Sequence, residues 1–205
     1  CMSSAVIQKL KELGYTTISE EFYGQVDLWE SWYIGKVKGF HQYRRYNGHK
    51  WTKHNRATLS MGKKVCEDWA NLLMNEKVKI TLEGKKEQDF IDHVLAENNF
   101  TVKANEMQEM KSALGTVAYI PRVTGQGVTD SGEIIPGDAS SIAIDYATMH
   151  DIYPLAWQNG FIYDCAFTST VTRDGKDYVY FQIHRRANDG TYVIENRIYR
   201  YQNEQ

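Results

Sequence analysis

The chain contains few of the residues that cross-link or interrupt small folds. It has three cysteines and three prolines in 205 residues. The cysteines are far apart, and no two of them have the short spacing of a zinc site or a redox motif. We therefore expect a reduced compartment, no disulfide framework and no structural metal. A chain of this length can bury a hydrophobic core of its own.

Long apolar runs are also missing. No segment approaches the roughly 18 consecutive apolar residues that indicate a membrane span. The N-terminal residues lack the basic, apolar and small-residue order of a signal peptide. From these absences we expect an intracellular protein with no membrane partner.

The motifs of common enzyme chemistry are absent as well. The sequence has no GxSxG elbow, no phosphate-binding GxxxxGK[ST] loop, no HExxH pair and no calcium loop. Cys66 and Cys165 recur in step with apolar residues, so we expect buried thiols that ionise poorly. These features predict a protein that is not an enzyme, with no catalytic residue and no cofactor. A hydrolase with a deep, unrecognised pocket is the alternative.

Acidic residues are absent from one long segment. Gly35 to Lys64 contains nine Lys and Arg residues and no Asp or Glu, which leaves the other 15 basic residues against all 26 acidic ones. A molecule with such a charge division can bind polyanions, or copies of itself head to tail.

Within this segment, Asn47-Gly48 separates two aromatic and basic runs, HQYRRY and HKWTKH, which is a strong hairpin signal. Interleaved rings and cations can stack on bases and neutralise phosphates. The candidate nucleic-acid-binding residues are Lys36, Lys38, Arg44, Arg45, Lys50, Lys53 and Arg56. A solvated hairpin with aromatic cross-strand pairs explains the same pattern without a ligand, and both interpretations stay open. The three histidines of the segment match no metal-binding pattern.

Two helices are predicted before this segment, over residues 4–13 and 20–33. The second is unusually rich in aromatic residues for a solvated helix. Trp29, Trp32 and Tyr33 are therefore candidates for a subunit interface, where such residues are enriched. Packing against the body of the domain is the alternative.

The segment from Leu59 to Leu82 predicts a helix followed by a strand. Apolar residues first recur at helical spacing, and Val78, Ile80 and Leu82 then alternate with polar residues. Such a helix and strand would share a buried core. The expected core residues are Leu59, Cys66, Trp69, Leu73 and Ile80.

Two further helices are predicted over residues 85–98 and 99–113, and the sequence then becomes strand-like. Asp174-Gly175 and Asp189-Gly190 join alternating runs, which indicates a meander, and residues 125–138 read as a long connection. We predict an α+β fold with N-terminal helices packed on a mostly antiparallel C-terminal sheet. Residues 1–58 and 59–205 are the expected domains, with one continuous domain as the alternative.

Short segments along nearly the whole chain together resemble the N-terminal part of the portal proteins of tailed bacteriophages, of the type found in long-tailed phages and prophages of Gram-positive bacteria. No single segment is specific, but their order and spacing match the family. The segments are Trp29–Tyr33 with Gly35, Phe40–Tyr43, Leu59–Lys64, Trp69–Leu73 with Asn75-Glu76, Phe100, Ala113–Gly115, Tyr153–Leu155, Ile183-His184 and Tyr192–Asn196.

This resemblance implies a structural role. A portal is a ring of identical subunits, a dodecamer in the full-length form, at one vertex of the capsid in the virion. It is assembled in the cytoplasm of the host and passes double-stranded DNA. Its implied partners are its own copies, terminase, capsid or scaffold proteins, the head-tail adaptor and DNA. Family members are longer, so the chain corresponds to the outer wing region, and the stem, clip and crown are absent from it. The competing hypothesis is a nucleic-acid-binding module that acts through residues 35–64.

Overall fold

A computed structural model describes residues 2–75, 77–131, 134–135, 137 and 140–201. The chain divides into two compact units. Unit 1 consists of Cys1–Leu28 and Met149–Gln205, and unit 2 consists of Trp29–Thr148. This division differs from the expected boundary between residues 58 and 59.

Helices dominate the first half of the chain and strands the second. In the described residues the helices are α1 (Met2–Glu12), α2 (Glu20–Tyr33), α3 (Met61–Leu73), α4 (Lys85–Glu97) and α5 (Phe100–Leu114). The strands are β1 (Gln42–Tyr46), β2 (Trp51–Asn55), β3 (Val117–Thr124), β4 (Gly127–Val128), β5 (Ile134–Ile135), β6 (Ser141–Thr148), β7 (Ile152–Gln158), β8 (Phe161–Arg173), β9 (Lys176–Arg186) and β10 (Tyr192–Arg200). All strand pairs are antiparallel. The predicted α+β class is confirmed.

Unit 1 is built on a four-stranded sheet in the order β10-β9-β8-β7. The meander prediction is confirmed for β8, β9 and β10. Asp174 and Gly175 both have positive φ, 53° and 68°, which is the backbone of the hairpin turns whose twist matches that of the strands. The additional edge strand β7 was not predicted, because its Pro154 removes a backbone donor and weakens the strand signal.

Helix α1 and the first nine residues of α2, Glu20 to Leu28, belong to this unit, and their apolar residues pack on the C-terminal sheet. Leu10 of α1 is fully buried, and the Lys9 ammonium lies 4.7 Å from the ring centroid of Tyr199 in β10. In α2, Tyr23 stacks on Tyr153 at 4.9 Å and donates a hydrogen bond to the Ile152 carbonyl at 2.8 Å. Spatial packing, and not chain order, therefore defines the unit.

Unit 2 contains the β1–β2 hairpin, helices α3 to α5, the long strand pair β3–β6 and the two-residue strand pair β4–β5. Helix α5 contacts α3, β3 and β6. The buried Asn98, just after α4, donates to the Ile142 carbonyl and accepts from the Ile144 N–H, both at 2.7 Å. One side chain thus fixes the end of α4 against β6. The predicted connection over residues 125–138 contains β4 and β5, and part of it lies outside the described residues.

Candidate functional site

The basic segment forms the predicted hairpin. Arg44 lies opposite Lys53, and Tyr46 lies opposite Trp51. Opposite residues of an antiparallel pair project from the same face, so that face carries two rings next to the turn and two cations beside them. Trp51 is 67% exposed. The hairpin therefore presents both a stacking surface and positive charge to solvent.

The turn of the hairpin is held by its own side chain. The Asn47 Oδ1 accepts hydrogen bonds from the N–H groups of His49 and Lys50, at 3.1 and 2.9 Å. Gly48 has φ of 94°, a conformation in which a side chain would be strained. Asn-Gly therefore forms this turn for local reasons.

All seven candidate cations are exposed. None of them makes an ion pair with an acidic side chain in the part of the chain that the structure describes. Like charges directly opposite each other in a strand pair destabilise it, and Arg44 and Lys53 are such a pair. An anion bound between them would relieve this repulsion. The structure therefore brings Arg44 and Lys53 together on one face of the hairpin, whereas Arg45 projects from the other face.

Arg56 is the most restrained of these cations. Its guanidinium lies 4.5 Å from the ring centroid of Phe40 and 5.5 Å from that of Tyr43, distances at which cation–π attraction operates. Its backbone N–H donates to the His41 carbonyl at 2.7 Å. The side chain of His41 is buried and accepts a hydrogen bond from the Val37 N–H at Nδ1, at 3.0 Å. His41 thus supports the base of the hairpin.

The three aromatic interface candidates line one open groove in unit 2. The groove has a volume of about 430 Å³, and its other walls come from α3 and from the end of α5. Trp29 and Trp32 are exposed, whereas Tyr33 is half-buried and donates a hydrogen bond to Glu109 of α5. Burial, with Glu109 as the next cause, raises the pKa of the Tyr33 hydroxyl above its usual range. Tyr33 therefore has an internal partner, and the Trp32 ring lies 5.2 Å from the ring of Phe40, although both tryptophans remain partly exposed.

The predicted core around α3 is wrong for this chain. Leu59 is 86% exposed, Trp69 is 55% exposed and Ile80 is 43% exposed, Leu73 is also exposed, and Cys66 is only half-buried. Helix α3 packs on α5, and Ala70 is its one fully buried residue among those described.

Polar contacts fix this orientation of α3. The Asn105 side chain of α5 donates to the Asn71 Oδ1 at 3.0 Å and to the Met74 carbonyl at 3.1 Å. As a result the large apolar residues of the helix point to solvent. We call Met61, Val65, Trp69 and Leu72 the outer stripe.

The strand predicted after α3 does not form. In the part of the chain that the structure describes, residues 78–82 pair with no strand, and Ile80 is exposed. The Gln88 side chain of α4 takes the place of a neighbouring strand: its Oε1 accepts from the Leu82 N–H at 2.7 Å, and its Nε2 donates to the Ile80 carbonyl at 3.1 Å. Sequence periodicity did not reveal Gln88, because a single polar residue on a helix carries no pairing signal.

Burial perturbs several titratable groups elsewhere in the described residues. Burial raises the pKa of the Cys165 thiol to about 12 and also raises that of Cys66, in agreement with the expectation of poorly ionised thiols. Burial also raises the pKa of Asp151, which accepts a hydrogen bond from Thr168 at 3.2 Å. Among the residues that the structure describes, no group of three or more His, Cys, Asp or Glu could hold a metal ion. None of the described helices is long and apolar enough to cross a membrane.

Comparison of the sequence with known proteins identifies the family of the chain. The chain matches the family model described as phage portal protein, SPP1 Gp6-like, over residues 14–152, which is more than half of its length. The matched range includes all of unit 2, with the hairpin and α3. No match was found among curated proteins. The chain belongs to the SPP1 Gp6-like family of phage portal proteins.

Proposed function

We propose that the chain forms part of a portal ring at the capsid vertex, through which double-stranded DNA is packaged and ejected. The observation that carries this proposal is the outer stripe. Monomeric proteins rarely leave a contiguous row of large apolar side chains in water, and such rows mark interaction sites. A ring subunit must present surfaces of this kind, because each copy contacts two neighbours.

In this proposal the protein is a structural component and not an enzyme. The ring is a dodecamer of the full-length protein and is part of the virion after assembly in the host cytoplasm. Terminase, capsid or scaffold proteins and the head-tail adaptor are its proposed partners. The outer stripe and the exposed tryptophans, Trp29 and Trp32, provide contacts between subunits.

The test is assembly of the protein expressed from the complete reading frame, followed by negative-stain electron microscopy and mass measurement. We expect rings with a central channel. The double variant Trp69→Gln/Leu72→Gln should shift the protein toward single subunits. Trp51→Gln is the control, because it removes another exposed indole outside α3. A wild-type protein that stays monomeric at assembly concentrations would refute the ring.

We propose nucleic-acid binding by the hairpin as a second function. Its support is the set of seven exposed cations without acidic partners in the described residues, next to an exposed indole. Each phosphate contact contributes about −0.9 to the slope of log K against log salt on duplex DNA. Arg44→Gln/Lys53→Gln should therefore reduce that slope by about 2.

The matched control for this second function is Lys85→Gln/Lys86→Gln, which removes two exposed cations from the start of α4. Duplex affinity should be measured by fluorescence anisotropy across a salt series. Equal losses in both variants would indicate non-specific charge attraction and would eliminate the hairpin as the site.

A further inference from the structure

We infer that one face of the β1–β2 hairpin binds unpaired stretches of a nucleic-acid strand in preference to a duplex. The inference rests on the proposed nucleic-acid binding by the hairpin and names the kind of strand that it takes. The binding side chains come from the three residue pairs that project from one face, here called the open face: Gln42 with Asn55, Arg44 with Lys53, and Tyr46 with Trp51.

The opposite face of the hairpin already has partners within the chain. The rings of Tyr43 and His54 stack at 5.6 Å, and the Arg56 guanidinium lies 5.5 Å from the Tyr43 ring centroid. The Thr52 hydroxyl lies 2.8 Å from His54 Nε2 and donates a hydrogen bond to the Arg45 carbonyl at 3.0 Å. A base would have to displace these contacts before it could stack on this face. The open face is therefore the more accessible of the two.

The open face has few such contacts. All six of its side chains are exposed, and Trp51 is 67% exposed. In the described residues, the one hydrogen bond that these side chains make runs from the Tyr46 hydroxyl to the Gly48 carbonyl, at 2.9 Å. This bond fixes the Tyr46 ring beside the turn, 5.6 Å from the Trp51 ring. The indole thus lies beside a fixed ring and retains a large surface for a flat ligand such as a base.

Positive charge and amide groups occupy the rest of the open face. Arg44 and Lys53 line an open depression of about 670 Å³, together with the two carboxamides of that face. Lys38 also lines it, because an isolated bridge pairs Lys38 with Gln42. The other described residues of the lining lie between residues 39 and 54, and none is acidic. A phosphate group in this depression therefore meets three cations.

The spacing along the open face fits a single strand of nucleic acid. Successive pairs on one face of a hairpin are two residues, or about 7 Å, apart. A nucleotide can span that distance between its base and its phosphate, so a base stacked on Trp51 can place its phosphate between Arg44 and Lys53. The phosphate then relieves the repulsion between these two opposed cations. The next base lies near the carboxamides, which are groups that hydrogen-bond base edges.

A duplex cannot use the rings of the open face in this way. The faces of its bases are covered by their neighbours in the stack, so a base must be displaced, at a cost in free energy, before an indole can stack on it. A duplex therefore contacts the cations of the hairpin through its phosphates alone. Stacking on aromatic side chains tolerates any base. We therefore expect a preference for unpaired strands with little dependence on sequence.

The test compares a single-stranded DNA oligonucleotide with the duplex of the same sequence, by fluorescence anisotropy with the complete protein. We expect the single strand to bind about tenfold more tightly. Trp51→Leu should lower the affinity for the single strand about tenfold, and that for the duplex much less. Trp157→Leu is the control, because it removes an exposed indole of β7, outside the hairpin. Arg44→Gln/Lys53→Gln should weaken the binding of both ligands.

Photo-cross-linking to the wild-type protein gives a second measurement, which does not depend on the folding of a variant. A single strand that carries 5-iodouracil is bound and irradiated, and the adduct is located by mass spectrometry of peptides. We expect the adduct on Trp51 or Tyr46. Adducts confined to Tyr43, or to residues outside the hairpin, would contradict the assignment of the open face.

The outcomes separate this inference from the function on which it rests. If the hairpin cations are required but the duplex binds as tightly as the single strand, the inference is wrong and nucleic-acid binding by the hairpin stands. If polyglutamate of equal charge displaces the single strand as well as unlabelled DNA does, the face takes an acidic protein surface and the inference is wrong. If Arg44→Gln/Lys53→Gln weakens binding no more than Lys85→Gln/Lys86→Gln, the hairpin is not the site and both proposals fail.

Discussion

Replacing Trp69 by alanine distinguishes the two roles that an apolar helix face can have, which are packing in the core of its own chain and contact with another subunit. Hydrophobic spacing alone places Trp69 in a core, where its removal would unfold the chain. The structure instead exposes 55% of this residue on the outer stripe of α3. We therefore expect Trp69→Ala to disrupt assembly while leaving the fold of the single chain largely intact.

The expected magnitude follows from the exposure. Removal of a buried Trp or Phe typically costs about 3–5 kcal/mol, which includes the energy of the cavity left behind. At Trp69 less than half of the residue surface is protected from water, and the vacated space opens to solvent. We expect a loss of about 1 kcal/mol in the free energy of unfolding. Leu114→Ala in the same unit removes a smaller but buried side chain, and should cost about 2–5 kcal/mol.

The assay is urea unfolding of both variants at a concentration where the chain is a single subunit, followed by electron microscopy at assembly concentration. The order of the two losses is decisive, because the larger side chain should give the smaller loss. If Trp69→Ala destabilises the single chain as much as Leu114→Ala, then the outer stripe is buried within the chain and our assignment of α3 is refuted.

Two further predictions concern packing and pH. Ala70→Leu should destabilise unit 2 by about 1–3 kcal/mol, because Ala70 is fully buried where α3 packs on α5; a neutral effect in urea unfolding would contradict that packing. Burial raises the pKa of Asp151, so the ionised Asp151 lowers the free energy of unfolding above that pKa. Asp151→Asn should therefore be more stable than the wild type at pH 7, with the advantage lost as the pH falls through the raised pKa. Asp189, whose pKa is lowered by the Thr191 N–H, should show the opposite sign when replaced by Asn, and equal signs in a pH series of melting temperatures would refute this reasoning.

The elements that could be predicted from sequence are those specified by neighbouring residues. Asn47-Gly48 and Asp174-Gly175 determine their turns through local backbone preferences, and both hairpins form where predicted. Helices α1, α2, α4 and α5 likewise follow from apolar spacing with Gly or Asn near their ends. The cluster of hairpin cations was also predictable, because residues close in sequence are close in a hairpin.

The elements that could not be predicted depend on partners far away in the chain. The alternation at Val78, Ile80 and Leu82 indicates that the segment can form a strand. A strand forms hydrogen bonds with a neighbour only if another unpaired strand lies within reach. In this chain the Gln88 side chain takes that position. The opposite error occurs at β7, where Pro154 weakens the local signal and the pairing with β8 still forms.

The misplaced core around α3 has the same physical origin. Apolar spacing indicates that exposing one face of a helix to water is unfavourable. It does not indicate whether the residues that cover this face belong to the same chain or to another copy. Ala70 and the Asn105 hydrogen bonds orient α3 so that its outer stripe remains without cover in the described residues. In a protein that acts alone such an arrangement would be a defect. In a family of phage portal proteins, which take part in oligomeric assembly of the phage head, a second copy can supply the missing surface. Trp69, which was predicted in the core and lies on the outer stripe, is therefore the first residue to test for assembly.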